Sequence, residues 1–382
     1  MRRGKTPLTK PVRALRFSLR VTPDASRLTL VILICLLASC AGTPEAEREF
    51  IPPVYPPPPA APRFVYERTL LYNEDVEDVT SGMRFKQFAL GEARKLMGLV
   101  KPFDVAVRAG RVYVTDTVQR AVMVFDIPGK RFFQIGADKP GRLSKPMGID
   151  IGADGTLYVA DISDRRVMVY DADGGFLRAI GGGELLQRPS DVALAPDGTR
   201  LYVVDTGGVD TMEHVVHVFD ARSGEAVGRI GARGAAEGEF NLPLQAAVAA
   251  DGTLYVVDSG NFRVEAFDAD GRFRFSFGSV GRFPGQFARP KGIATDAAGN
   301  VYVVDTAFGN VQIFGPTGQL LMFIGERGQS GYPGKYMLPA GIDVDGDGRI
   351  YVVDQFFRKV DIYRPVAPDQ GAPVAAADAE RP

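Results

Sequence analysis

One short run of residues constrains this chain more than anything else in it, because the run recurs six times. Leu254-Tyr255-Val256-Val257-Asp258 has relatives at 112–116, 157–161, 201–205, 301–305 and 350–354, each of the form apolar-Tyr-Val-x-Asp. The closing aspartates stand at 116, 161, 205, 258, 305 and 354, so the unit is 44 to 53 residues long. A period in that range belongs to solenoids, propellers and arrays. Each run is short, β-branched and aromatic, which reads as a strand buried on both faces.

The rest of the unit reads around that strand. A proline and a short apolar stretch precede it, joined to it by a turn such as Asp251-Gly252 or Asp154-Gly155, the signal of a tight hairpin. A loop follows the aspartate, then an alternating strand ending in an aromatic, as in Val122-Met123-Val124-Phe125. A last strand ends at Gly136, Gly181, Gly231, Gly278 or Gly325. Four strands per unit and six units predict an all-β six-bladed β-propeller with four-stranded antiparallel blades.

These residues resemble the NHL-repeat family. The resemblance rests on Pro290-Lys291-Gly292-Ile293-Ala294, Gly299 to Asp305, Asn310-Val311-Gln312-Ile313-Phe314 and Phe323-Ile324-Gly325, and extends from about Arg63 to Tyr363. It implies a propeller that serves as a binding platform or, less often, as an enzyme.

The sixth unit lacks its fourth strand. Arg63 to Tyr72 alternates like a strand ahead of the first unit, and is expected to close the last blade by pairing with Val360 to Tyr363. Closure would remove two exposed sheet edges. Between that strand and Phe103, a short helix is expected from Ser81 to Gly91, either packing on the blades or covering the ring's opening. The loop after Asp205 is longer than its counterparts, which marks its rim as a binding face.

The front of the chain has a different character. Eight Lys or Arg and one acid, Asp24, lie in residues 1–39, which leaves 37 basic and 45 acidic residues behind them. The remainder is acidic, which argues against a nucleic-acid partner. Basic residues precede the apolar run Leu28 to Ala38, too short for a spanning helix, and Leu37-Ala38-Ser39-Cys40 resembles a bacterial lipobox. The expected organisation is a signal peptide (1–39), lipidated Cys40 with a proline-rich tether (40–62), the propeller (63–364) and a disordered tail (365–382). The only other cysteine, Cys35, lies within the signal, so the folded domain is expected to hold no disulfide and no thiolate metal site. The expected location is a bacterial cell envelope, membrane-anchored through Cys40, with the propeller facing the periplasm from the outer membrane.

Candidate chemistry is sparse. Asp343 to Asp354 matches the spacing of a calcium loop, but Asp354 ends a strand and would lie far from Asp343. The six strand-ending aspartates read as caps for the turns that follow. His214 and His217, the only histidines, would face opposite sides of a strand. The resemblance extends to amidating lyases and lactonase-like propellers, whose histidine-rich zinc site and carboxylate-held metal do not map onto this sequence. No cofactor is expected.

What remains is a surface. Phe103, Met147, Ser190, Leu244, Lys291 and Ala340 each follow the repeat proline, and Lys101, Lys145, Arg188 and Arg289 stand just before four of these prolines. By register these ten ring one mouth of the channel, where they either bind a ligand or simply pack. The expected function is a protein-binding or scaffolding module in the envelope. The alternative is a metal-dependent hydrolase or lyase with its site in the central channel.

Overall fold

The computed structural model describes residues 50–78, 95–208 and 211–366. The expected signal peptide, Cys40, the helix at Ser81 and most of the tail lie outside them. Six sheets are arranged in a ring, a six-bladed propeller of antiparallel blades. Blade 1 comprises Pro102–Arg108, Arg111–Asp116, Ala121–Asp126 and Arg131–Ile135, from the axis outward. The inner strands of blades 2 to 6 are Pro146–Ile151, Pro189–Leu194, Pro243–Val248, Pro290–Thr295 and Pro339–Val344. Each contacts the inner strands on either side, including blade 6 against blade 1, so the ring is closed.

The core is divided among the clefts between blades. Ala106, Tyr113 and Val122 of blade 1 meet Ile149, Leu157, Val159 and Met168 of blade 2, and the other clefts repeat the pattern. The second strand is buried on both faces in every blade, as its unbroken apolar run requires.

Closure follows the sequence expectation. Phe64–Leu70 is hydrogen-bonded to Lys359–Pro365, with Tyr66 opposite Tyr363 and Leu70 opposite Val360. The ordered sheet also starts earlier than the composition suggests. Val54–Tyr55, read as tether from its flanking prolines, adds a fifth strand to this blade. Prolines lack the N–H that an interior ladder needs, but at a sheet edge that donor is not missed. Tyr55 then packs edge-on against Tyr363, with ring centroids 5.7 Å apart.

One irregularity positions the functional site. In each inner strand the pairing with its neighbour shifts register just after the proline. Such a bulge takes residues out of the ladder and re-aims their side chains. Here the second residue after each proline is brought to the axis.

Candidate functional site

The six axis positions are Asp104, Gly148, Asp191, Gln245, Gly292 and Gly341 in blade order. The three glycines are required by their neighbours. A Cβ at Gly148 would overlap the Asp191 carboxylate, one at Gly341 would overlap that of Asp104, and one at Gly292 would crowd Gln245 Oε1. Asp104, Asp191 and Gln245 therefore share a space that six side chains could not. Asp104 lies close enough to Asp191 and Gln245 for both to bear on its proton affinity.

Two residues further along the inner strands the axis positions are Ala106, Asp150, Ala193, Ala247, Ala294 and Asp343. Asp150 and Asp343 make a second acidic tier, and the alanines leave it open. The four carboxylates have a common structural task. Inner strands of a propeller do not pair with one another, so their channel-facing N–H groups lack partners. Asp104 accepts from Ile149 N at 3.2 Å, Asp150 from Leu194 N at 2.6 Å, Asp191 from Ala246 N at 2.8 Å and Asp343 from Val107 N at 2.7 Å. Each carboxylate thus links its blade to the next.

That task leaves acceptor capacity unused. Asp191 Oδ1 and Gln245 Oε1 are buried and have no hydrogen-bond donor. Both belong to residues lining a cavity of 470 Å³ that also reaches Asp104, Asp150 and Asp343. The cavity runs toward the turns between first and second strands, where Ala153, Pro196 and Ala297 line it. Arg108 is the one basic residue of the lining, and its guanidinium is turned onto the carbonyl of Ala153.

Burial governs the charge state. It pushes Asp104 up to about 7 and Asp150 up to about 6. Asp191 is raised well above the usual carboxylate range by burial and then by the charge of Asp104. Asp343 is raised well above it by burial and then by Asp150. The charge of one carboxylate raises the other, so Asp104 and Asp191 do not readily ionise together. Among the described residues, no three His, Cys, Asp or Glu side chains come together in a way that could hold a metal ion. The residues present therefore do not reproduce the carboxylate-held metal of lactonase-like propellers.

The ten residues singled out from the sequence lie at the other end of the channel, and none lines this cavity. Lys291 and Phe103 are brought together, with the ammonium 4.4 Å from the ring centre. Burial pushes Lys291 down to about 8. Ser190 is buried and donates to Leu244 O at 2.8 Å, and Ala340 is fully buried. Met147 and Leu244 are half-buried. Lys101, Lys145, Arg188 and Arg289 are exposed around the mouth, each with its backbone N–H held by the strand-ending aspartate of its blade.

Those strand-ending aspartates are turn caps. Asp116 accepts from Val100, Lys101, Val118 and Gln119 backbone amides at 2.7 to 3.0 Å, and Asp305 and Asp354 repeat the arrangement. In the calcium-like stretch, Asp345 accepts from Asp347 N and Arg349 N within its own turn, while Asp343 points to the channel. His214 accepts from Leu242 N at 3.1 Å, and His217 is held below its ordinary value by burial.

The acidic axis is absent from the sequence reading. Its signal is the second position after each proline, where Asp, Gly, Asp, Gln, Gly and Gly depart from an otherwise repetitive strand.

Solved structures share this fold. Hydrazine synthase of Kuenenia stuttgartiensis aligns with a TM-score of 0.52 and 18% identity, over 71% of this chain and 86% of that one. A gluconolactonase from Xanthomonas campestris gives 0.54 and 19%, over 79% and 98%. A catalytically inactive virginiamycin B lyase from Staphylococcus aureus, bound to quinupristin, gives 0.50 and 17%, over 70% and 81%. At these identities the likeness is one of fold. No protein-family profile matches the chain. Among curated proteins, brain tumor of Drosophila melanogaster is 41% identical over 54 residues, which is 14% of this chain and only 5% of that protein.

Proposed function

We propose that this chain is an envelope lipoprotein of the NHL-repeat kind, tethered through Cys40, whose propeller is a binding module with its ligand site in the acidic central cavity. The observation that carries the reading is the pair of buried, donorless acceptors, Asp191 Oδ1 and Gln245 Oε1, in a cavity lined by five aspartates, Asp104, Asp150, Asp191, Asp296 and Asp343. A buried acceptor without a partner is costly by about 1–3 kcal/mol, and a ligand bearing N–H donors and positive charge would relieve it. The opposite mouth, with Lys101, Lys145, Arg188 and Arg289, is the surface offered to an acidic protein partner. Titration calorimetry with small alkylammonium and guanidinium salts tests the cavity. Saturable binding to the intact protein, lost in Asp191→Asn, supports the reading, and no binding of any cation removes it.

A second reading is enzymatic, and the raised proton affinities of Asp104 and Asp191, side by side in the cavity, favour it. In that reading one carboxyl donates its proton to a leaving oxygen while the other accepts a proton from water or from substrate carbon. This suits hydrolysis of a lactone or an elimination, the reaction types named for the gluconolactonase and the lyase. Turnover in a lactone or lyase assay, reduced at least about 100-fold in Asp104→Asn, would establish it.

A further inference from the structure

The two acidic tiers define a ligand more narrowly than charge alone. Asp104 and Asp191 lie two residues before the level of Asp150 and Asp343 on inner strands that run alongside one another. At about 3.3 Å per residue the tiers are about 7 Å apart along the channel. Between them the wall is apolar, formed by Val105, Ile149, Val192, Ala246, Ile293 and Ile342. The deep tier holds both donorless acceptors. The outer tier holds two carboxylates, each accepting one backbone N–H from the adjacent blade, Leu194 or Val107, and one from its own chain neighbour, Ile151 or Val344.

A point cation cannot serve both tiers, and among the described residues no three acidic or histidine side chains converge on one point. A ligand with a cation at each end and methylenes between matches the arrangement. One ammonium, with three N–H donors, would meet Asp104, Asp191 and Gln245. The second would meet Asp150 and Asp343, and the aliphatic chain would lie against the apolar wall between the tiers. The spacing corresponds to that between the ammonium groups of a four- or five-carbon α,ω-diamine. We infer that the central cavity is a binding site for a linear aliphatic diamine or polyamine, taken up from the face that carries the first hairpin turns.

The inference rests on the proposed reading of the cavity as a cation site, and one experiment separates the two. The intact purified protein is titrated by calorimetry with 1,4-diaminobutane, butylamine and calcium chloride, at neutral pH and fixed ionic strength. The expected result is one site per chain and at least a tenfold preference for the diamine over butylamine. In the double variant Asp150→Asn/Asp343→Asn the diamine should lose its preference over butylamine. Asparagine keeps an acceptor for Leu194 N and Val107 N, and a thermal melt verifies that the ring still closes. Equal affinity for diamine and monoamine overturns the inference while leaving a cation site in place. Calcium binding tighter than the diamine also overturns it. Failure of every cation to bind removes both. The comparison between the two amines on the unaltered chain needs no variant.

Discussion

At the residue scale, the channel shows how a repeat makes a site by departing from itself. Gly148 is an axis residue whose only evident task is to leave room for Asp191. Gly148→Ala should therefore cost about 1–3 kcal/mol of stability, through displacement of a carboxylate from Ala246 N. Denaturant unfolding checks this, and a cost near zero would show that the glycine is not needed. The acid groups make a second prediction through their protons. In the folded chain Asp104 and Asp150 hold protons up to about 7 and about 6, while the unfolded chain releases them near 3.8. Between pH 4 and 7 the folded state thus binds more protons, so stability rises as pH falls through that window. Glu265, pushed up to about 7 by burial, adds the same sign. His217 opposes it below its ordinary 6.5. Turn carboxylates such as Asp154 and Asp197, held low by the backbone amides of Thr156 and Thr199, act only below 3.8. The ligand-free protein should melt at higher temperature at pH 5.5 than at pH 7.5, and Asp104→Asn should flatten the difference. A melt that worsens steadily from pH 7.5 to 5.5 would contradict these assignments.

At the scale of elements, the closing strand is what joins the two ends of the domain. Thr69 on Phe64–Leu70 donates to Asp361 Oδ1 at 2.6 Å, and Lys359 Nζ meets Asp361 Oδ2 at 2.6 Å, with Lys359 and Asp361 both buried. Lys359 also donates to the carbonyls of Gly331 and Tyr332, which brings the loop between blades 5 and 6 into the same cluster. Lys359→Ala leaves Asp361 buried and uncompensated, at a cost of about 3–5 kcal/mol. Deleting residues 62–72 should destabilise the domain far more than deleting residues 367–382, because the first opens two sheet edges. Melting curves for the two deletions give the comparison, and equal midpoints would refute it. This element was legible in the sequence because a missing strand at one end and a spare one at the other have a single economical solution. Val54–Tyr55 was not, since two residues among prolines carry no periodicity.

At the scale of the molecule, the propeller presents two unlike ends. One carries the exposed Lys101, Lys145, Arg188 and Arg289 around the inner strands' first residues, and the other opens into the acidic cavity. The proposed anchoring is a property of the whole chain and rests on the lipobox-like Leu37 to Cys40. Cys40→Ser should move the protein from the membrane fraction to the soluble fraction, or leave an uncleaved precursor. A mature variant that still sediments with membranes would disprove the tether.

Composition and period alone determined the all-β ring, the number of blades, the cap role of the strand-ending aspartates and the strand that closes the last blade. Each of these is a local pattern, or a pattern repeated at fixed spacing, and local sterics and hydrogen bonding suffice to read it. Tertiary structure alone decided where the chemistry lies. Asp104, Asp150, Asp191, Gln245 and Asp343 are spread over some 240 residues, and each is one unremarkable polar residue in its own unit. They become a site only because closure brings six inner strands to one axis, and because a bulge after each proline turns the second residue inward. Their raised proton affinities arise from the burial that the ring imposes on them.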